Sequence, residues 1–137
     1  MPPADRALLE ILRSSRRIAV VGLGTKTHRP AYGVAAYLQR AGYTIVPVHP
    51  VADRVLGEPV CRSLIEAAAG GPVDIVDVFR RAETIPEIVE PCVAIRPRLV
   101  WLQEGIRDDE SARRLEAAGI PVVQDRCLAV EHHSMGV

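Results

Sequence analysis

One segment limits the possible folds of this chain more than any other: RIAVVGLGTKTHRPAYGVAAYLQRAGY, residues 17–43. An apolar run, Ile18 to Val21, leads into Gly22-Leu23-Gly24 and then into a basic loop. Pro30 can begin a helix as its first residue, and apolar residues follow it at helical spacing. A strand, a glycine turn and a helix in this order are how a nucleotide-binding α/β unit begins.

Four further apolar runs, rich in Val and Ile, alternate with helical patterns along the rest of the chain. Together with the first run at 17–22, they predict strands at 44–48, 73–78, 98–102 and 120–124. Nearly continuous apolarity is typical of parallel strands that are covered on both faces. The sequence therefore predicts an α/β fold: a Rossmann-like, doubly wound, mostly parallel five-stranded sheet with helices on both faces and strand order 3-2-1-4-5. We expect residues 1–137 to form a single domain.

Charge and cysteine content narrow the classes of function. Lys and Arg together number 17, as do Asp and Glu, so the net charge is zero and any anion site must be a local cluster. We therefore expect no nucleic acid partner, and no apolar run reaches the roughly 18 residues of a membrane span. Cys61, Cys92 and Cys127 are too widely spaced for a disulfide framework or a zinc site. We expect a reducing, cytoplasmic location and no bound metal.

The loop after the first strand has residues that suit a phosphate group. Small residues let backbone N–H groups approach an anion, and the following helix offers the positive end of its dipole. Lys26 and Arg29 add charge, and Thr25 can donate a hydroxyl hydrogen bond. The alternative is that Gly22 and Gly24 only form a tight turn between strand and helix.

The end of the second strand argues against a dinucleotide. An NAD site normally has Asp or Glu there, about 20 residues past the glycines, to hold the ribose hydroxyls. This chain has Val48-His49-Pro50 instead, with no carboxylate. His49 either bonds an adenosine or is a plain loop histidine, and the flanking prolines favour a rigid wall.

No catalytic set emerges from the remaining residues. Asp74 and Asp77 fall on opposite faces of the third strand, so they do not form an acid–base pair. Cys127 and the histidines 132–133 could bind a metal or carry out thiol chemistry, but the sequence offers no second pair of ligands. This favours a solvated tail with a half-buried thiol. Arg80 and its neighbour Arg81 are either surface charges or a second anion contact.

Read together, the strand ends resemble a known family. The segments are VVGLGTKTHRPAYGVAAYLQRAGYTIVPVHP, VLGEPVCRSL, VDIVDVFRR, VWLQEGI and VVQDRCLAVEH. They resemble the small single-domain CoA-binding proteins, which in turn resemble the amino-terminal domain of the succinyl-CoA synthetase α subunit. The resemblance covers the chain from about residue 5 to residue 133, with the segments in order. It implies a Rossmann-like fold that binds coenzyme A along the carboxyl edge of its sheet.

The resemblance also implies roles for individual positions. The loop after strand 1 would hold the CoA phosphates, the end of strand 2 would border the adenosine, and the ends of strands 3 and 4 would lie along the rest of the ligand. In that order the residues are Gly22, Gly24, Thr25, Lys26, Arg29 and Pro30; Val48, His49 and Pro50; Phe79 and Arg80; and Gln103 and Gly105.

Three departures weaken individual contacts more than the overall resemblance. Gly24-Thr25 stands where the family often has Ala or Leu followed by Ser. His49-Pro50 replaces a common Asn-Pro, and Ala31 replaces a common Ser.

The resemblance implies binding without carrying over an activity. The synthetase passes a phosphoryl group through a histidine of a second domain, which nothing in these residues matches. We therefore predict a CoA- or acyl-CoA-binding module without catalytic residues, either a homo-oligomer or a partner of an acyl-CoA enzyme. The alternatives are an NAD(P)-dependent oxidoreductase, an acyl-CoA enzyme that uses Cys127 or His132, and a structural homo-oligomer that has lost its ligand.

Overall fold

A computed structural model describes residues 3–137. In chain order the strands are β1 (Arg17–Val21), β2 (Thr44–Val48), β3 (Arg54–Val55), β4 (Glu58–Pro59), β5 (Ile75–Val78), β6 (Leu99–Leu102) and β7 (Val122–Val123). The helices are α1 (Asp5–Ser14), α2 (Pro30–Arg40), α3 (Leu64–Ala69), α4 (Pro86–Ile95), α5 (Asp109–Ala117) and α6 (Leu128–Ser134), with a 3₁₀ turn at Ala82–Thr84. Among residues 3–137, no helix is both long and apolar enough to cross a membrane.

Five strands form one parallel sheet, and β3 and β4 form a small antiparallel hairpin beside it. Successive strand residues alternate between two apolar cores, because side chains along a strand point to opposite faces. One core includes buried residues of α3, α4 and α5, and the other includes buried residues of α1, α2 and α6. The predicted Rossmann-like α/β fold with helices on both faces is confirmed.

The predicted strand order is wrong. The observed order is β2-β1-β5-β6-β7, which is 2-1-3-4-5 when only the sheet's strands are counted. Pro47 explains the difference, because a proline has no N–H to donate and is confined to an edge strand. Its carbonyl faces outward and accepts a hydrogen bond from the Cys61 N–H at 2.8 Å, and the His49 N–H donates to the Cys61 carbonyl at 3.0 Å. The loop after the hairpin thus occupies the place beside β2 where the third strand was expected.

This order sets where a ligand can approach the sheet. The chain leaves β1 toward β2 on one side and returns to pair β5 on the other side of β1. In doubly wound sheets, ligands bind outside the carboxyl ends of the strands at such a switch in direction. Here the switch lies between Gly22, which follows β1, and Phe79, which follows β5 and donates its N–H to the Val21 carbonyl at 2.9 Å.

Candidate functional site

Two adjoining cavities open at the carboxyl edge of the sheet and share the walls formed by Pro30 and Phe79. We call them the glycine-loop cavity, of about 340 Å³, and the Cys127 cavity, of about 520 Å³. The glycine-loop cavity is lined by Gly22, Gly24, Thr25, Lys26, Arg29, Pro30, Ala31, His49 and Phe79. The Cys127 cavity is lined by Pro30, Val34, Phe79, Arg80, Arg81, Gln103, Glu104, Ile106 and Cys127. The two together form a groove that begins at the end of β2 and ends at the start of α6.

Gly22 brings the two sides of the switch point into contact. Its φ of +94° lies in a region that side chains disfavour, and a Cβ there would sit 2.3 Å from the Phe79 carbonyl oxygen. Only glycine permits this approach. The loops after β1 and β5 can therefore form one continuous wall of the glycine-loop cavity.

His49 has its ring directly against Gly24, where a Cβ would lie 2.9 Å from the histidine Nε2. Its Nδ1 accepts hydrogen bonds from the backbone N–H groups of Val51 at 3.1 Å and Ala52 at 3.0 Å. Because Nδ1 acts as the acceptor, the ring carries its hydrogen on Nε2. Arg62 holds the same loop by donating to the His49 carbonyl at 3.1 Å. The arrangement leaves an N–H donor on the side of the ring that faces the glycine loop.

Two cations stand at this cavity without partners. Lys26 and Arg29 are exposed, and neither side chain has a hydrogen bond or ion pair with any other part of residues 3–137. Helix α2 begins directly after them with no side-chain cap, and its first two residues, Pro30 and Ala31, line the cavity. Unpaired cations beside a helix amino terminus can bind an anion, since both the charges and the helix dipole favour negative groups.

The Cys127 cavity is mostly apolar, with a buried amide in its wall. Gln103 is only 4% exposed, and its Oε1 accepts a hydrogen bond from the Leu128 N–H at 3.1 Å. Its Nε2 has no partner within residues 3–137. Arg80 lies 3.4 Å from Glu87 and Arg81 lies 3.5 Å from Glu83 in exposed ion pairs.

Three of the predicted site residues line neither cavity. Val48 is buried at the end of β2, and Pro50 is exposed beyond His49. Gly105 adopts a φ of +83° and donates its N–H to Asp125 Oδ1 at 2.6 Å, so it shapes a turn. The other predicted positions line one or both of the cavities.

Four cavity residues have no role predicted from the sequence: Ala31, Val34, Glu104 and Ile106. Arg81 and Cys127 also line the second cavity, and the sequence named them only among the alternatives. The helical spacing from Pro30 to Val34 is a signal that places Val34 on the same face of α2. Cys127 follows the carboxyl end of β7, so the rule that collects ligand contacts at strand ends points to it as well.

A fully buried acid lies on β5, two residues before Phe79. Asp77, on β5, sits between Val20 of β1 and Trp101 of β6, and neither of its carboxylate oxygens has a hydrogen-bond partner. Burial raises the pKa of Asp77 well above its ordinary value. It lines neither cavity. Within residues 3–137, no group of three or more His, Cys, Asp or Glu side chains is arranged to hold a metal ion.

The parallel sheet and the groove at its switch point place the protein among the doubly wound, Rossmann-like α/β proteins. The profile of the CoA binding domain family matches residues 16–133, and the chain belongs to that family. The family resemblance drawn from the strand ends is therefore confirmed.

The chain is also similar to individual proteins in sequence or in fold. The uncharacterized protein YneT of Bacillus subtilis is 39% identical over 130 residues, which cover 95% of each chain. A solved structure from Thermus thermophilus (cell-free ID.343) is 41% identical, with a TM-score of 0.92 over 97% of this chain and 99% of that one. A dinucleotide-forming acetyl-coenzyme A synthetase of Ca. Korarchaeum cryptofilum shares the fold, with a TM-score of 0.74 at 18% identity over 84% of this chain and 26% of the synthetase.

Proposed function

We propose that this protein binds coenzyme A, or an acyl-CoA, in the groove formed by the two cavities. The observation that carries the proposal is the set of unpartnered donors around the glycine loop: Lys26, Arg29 and the Nε2–H of His49. Membership in the CoA binding domain family supplies the class of ligand.

The phosphates of CoA fit the glycine-loop cavity by charge. CoA carries a 3′-phosphate as well as a pyrophosphate, so it needs more than one cation, and Lys26 and Arg29 provide two. Thr25 can donate to the same oxygens, and so can the backbone N–H of Ala31, since Pro30 has no N–H and the Tyr32 N–H is bonded to the Arg29 carbonyl at 3.1 Å. His49 can donate from Nε2 to an oxygen of the nucleotide.

The rest of the ligand would lie in the Cys127 cavity, whose mostly apolar lining suits it. The pantetheine arm of CoA is a flexible chain with two amide groups, and it would pass Phe79 to reach the second cavity. Apolar walls such as Val34 and Ile106 can cover its methylene groups, and the Nε2 of Gln103 can donate to an amide carbonyl.

As part of this proposal, the protein acts in the cytoplasm as a single-domain binding module. An acyl-CoA enzyme or a second copy of the chain would be its protein partner. The alternative of an NAD(P)-dependent oxidoreductase is weakened by His49, which occupies the strand end where a ribose-binding acid would stand.

Thermal unfolding with a panel of ligands tests the proposal. CoA, acetyl-CoA, dephospho-CoA, NAD and NADP are compared at equal concentrations. A ligand at 100 times its Kd adds about 2.7 kcal/mol to the unfolding free energy, which raises the Tm by several degrees. We expect the largest shift with CoA or acetyl-CoA and a smaller one with dephospho-CoA. A shift with NAD or NADP and none with CoA or acetyl-CoA would contradict the proposal.

A matched pair of variants locates the phosphate contacts. Lys26→Ala combined with Arg29→Ala removes the two cations, and we expect CoA to bind at least about 100-fold more weakly, because each charge-assisted contact contributes about 1.5–3 kcal/mol. Arg40→Ala is the control, since Arg40 is an exposed arginine at the opposite end of α2. Calorimetric titration should give an unchanged Kd for the control. An equal loss in both variants would assign the effect to α2 and exclude a phosphate contact.

A further inference from the structure

We propose that Cys127 forms a reversible mixed disulfide with the thiol of CoA in the groove. The inference rests on the proposed function, because the pantetheine arm must enter the Cys127 cavity. It adds a covalent, redox-dependent state to a binding site that is otherwise noncovalent.

The order of the two cavities fixes which end of the ligand reaches Cys127. The phosphates and the thiol lie at opposite ends of the CoA molecule. Lys26 and Arg29, the unpartnered cations, belong to the glycine-loop cavity. The thiol end must therefore extend past Pro30 and Phe79, the shared walls, into the second cavity, where Cys127 contributes a half-buried free thiol.

Gln103 provides independent evidence that the Cys127 cavity accepts a ligand. The side chain is 96% buried, yet its Nε2 faces the cavity with no acceptor in residues 3–137. Asp77 holds the only buried side-chain N or O atoms without a partner in residues 3–137, so the Gln103 Nε2 keeps access to the cavity and can donate to a ligand carbonyl there. The Oε1 of the same amide accepts from Leu128, the residue after Cys127, at 3.1 Å. A ligand held by Gln103 consequently lies next to the cysteine.

The other two cysteines are unsuited to this reaction. Cys92 is fully buried, and burial raises the pKa of its thiol to about 12. Burial, followed by the nearby charge of Glu66, raises the pKa of Cys61, which lies beside β2. Neither residue lines the groove. Since the thiolate is the nucleophile in disulfide exchange, modification at the groove should select Cys127.

The reaction is thiol–disulfide exchange with the disulfide of CoA as the oxidised co-reactant. The Cys127 thiolate attacks one sulfur of that disulfide. The Cys127 Sγ–S bond to CoA forms as the original S–S bond breaks, and the second CoA leaves as a thiolate that takes a proton from water. One disulfide replaces another, so no further oxidant is needed. A small dithiol reverses the reaction and releases CoA.

Mass spectrometry of the intact protein measures the reaction. The reduced protein is mixed with equal concentrations of the disulfides of CoA, of pantetheine or of glutathione, and adducts are followed over time. We expect the CoA disulfide to modify Cys127 at least tenfold faster than the other two, because binding of the nucleotide raises the local concentration of the disulfide. Dithiothreitol should remove the adduct. Cys127→Ser should form no groove adduct, and Cys61→Ser should react normally.

The outcomes separate this inference from the proposed function. Cys127→Ser should keep the thermal shift with CoA, because noncovalent binding does not need the thiol. A normal CoA shift together with equal rates for all three disulfides, or with modification at Cys61, overturns the mixed disulfide and leaves CoA binding intact. Absence of a CoA shift in the unmodified protein overturns the proposed function itself. The variant Lys26→Ala/Arg29→Ala should slow only the CoA disulfide.

Discussion

The parallel sheet has an amino edge, where its strands begin, and a carboxyl edge, where they end. Charged residues with hydrogen-bond partners within the fold lie at the first, whereas two cations at the second lack such partners in the described part of the chain. At the amino edge, Asp74 Oδ2 accepts hydrogen bonds from the backbone N–H groups of Arg16 at 2.8 Å and Arg17 at 2.9 Å. At the carboxyl edge, Lys26 and Arg29 have no partner among residues 3–137. What distinguishes the carboxyl edge is that its unpartnered cations stand beside a helix amino terminus and a cavity.

Arg17 is a cation of the amino edge that is bonded within the fold. Its guanidinium donates to the backbone carbonyls of Gly71 at 2.5 Å, Pro72 at 3.0 Å and Ala67 at 3.3 Å. These bonds tie the start of β1 to the end of α3 and to the turn before β5. The Arg17 guanidinium is thus used within the fold, whereas the unpartnered donors of the groove lie at the other edge.

The largest effect should come from the tightest backbone contact of the carboxyl edge. In Gly22→Ala, the new Cβ would meet the Phe79 carbonyl at 2.3 Å while φ stays positive, so we expect a loss of about 3 kcal/mol or more in unfolding free energy. Gly57→Ala is the control, since its φ is +79° and its Cβ position is open. The control should lose about 1 kcal/mol in urea unfolding. Equal losses would show that the carbonyl contact contributes nothing.

A smaller effect is expected at the amino edge. Asp74→Ala leaves two backbone N–H groups without their acceptor, which should cost about 2 kcal/mol of unfolding free energy. Asp74→Asn keeps a side-chain oxygen and should lose less. CoA affinity should stay unchanged in both variants. Lys26→Ala/Arg29→Ala should show the reverse, with CoA affinity lost and unfolding free energy retained. Loss of CoA affinity in the Asp74 variants, or loss of stability in Lys26→Ala/Arg29→Ala, would contradict this division between the two edges.

Asp77 lies within β5, between the amino and carboxyl edges, and its carboxylate has no hydrogen-bond partner within residues 3–137. Because burial raises its folded-state pKa, the native protein keeps a proton that the unfolded chain releases above about pH 3.9. The stabilisation from Asp77 is complete below that pH and is lost as the pH rises toward the folded-state pKa, by about 1.4 kcal/mol per pH unit. Asp77→Asn removes this dependence. Urea unfolding of both proteins from pH 4.5 to 8 should give curves that diverge with pH, and parallel curves would show that Asp77 is ionised in the native protein.

The sequence predicts the sheet well because buried parallel strands are continuously apolar, and each of the five predicted ranges contains the observed strand. The strand order could not be read from apolarity, because every order buries the same residues. Pro47 was the available signal, since a missing N–H restricts its strand to an edge.

Only part of the candidate site could be predicted from the sequence. The glycine loop and its cations follow from local spacing, and the structure brings them into one cavity. The direction of the His49 Nε2–H depends on a turn in which Val51 and Ala52 donate to its other nitrogen, which no spacing reveals. Cys127 stands alone in the sequence and joins the groove only because β7 lies at the end of the sheet.

The outward-facing carbonyl of Pro47 limits how a second chain can add a strand to the sheet. An exposed sheet edge is a template on which a second chain can add a strand and start aggregation. The β2 edge is closed to this, because Pro47 offers no donor and its carbonyl is already bonded to Cys61. The strand at the opposite side of the sheet, β7, is only two residues long, Val122–Val123, and offers an incoming strand few backbone hydrogen bonds. Extension of the sheet by a second chain is thus opposed at β2, whose edge is already hydrogen-bonded to the loop at Cys61, and at β7, which is a very short strand.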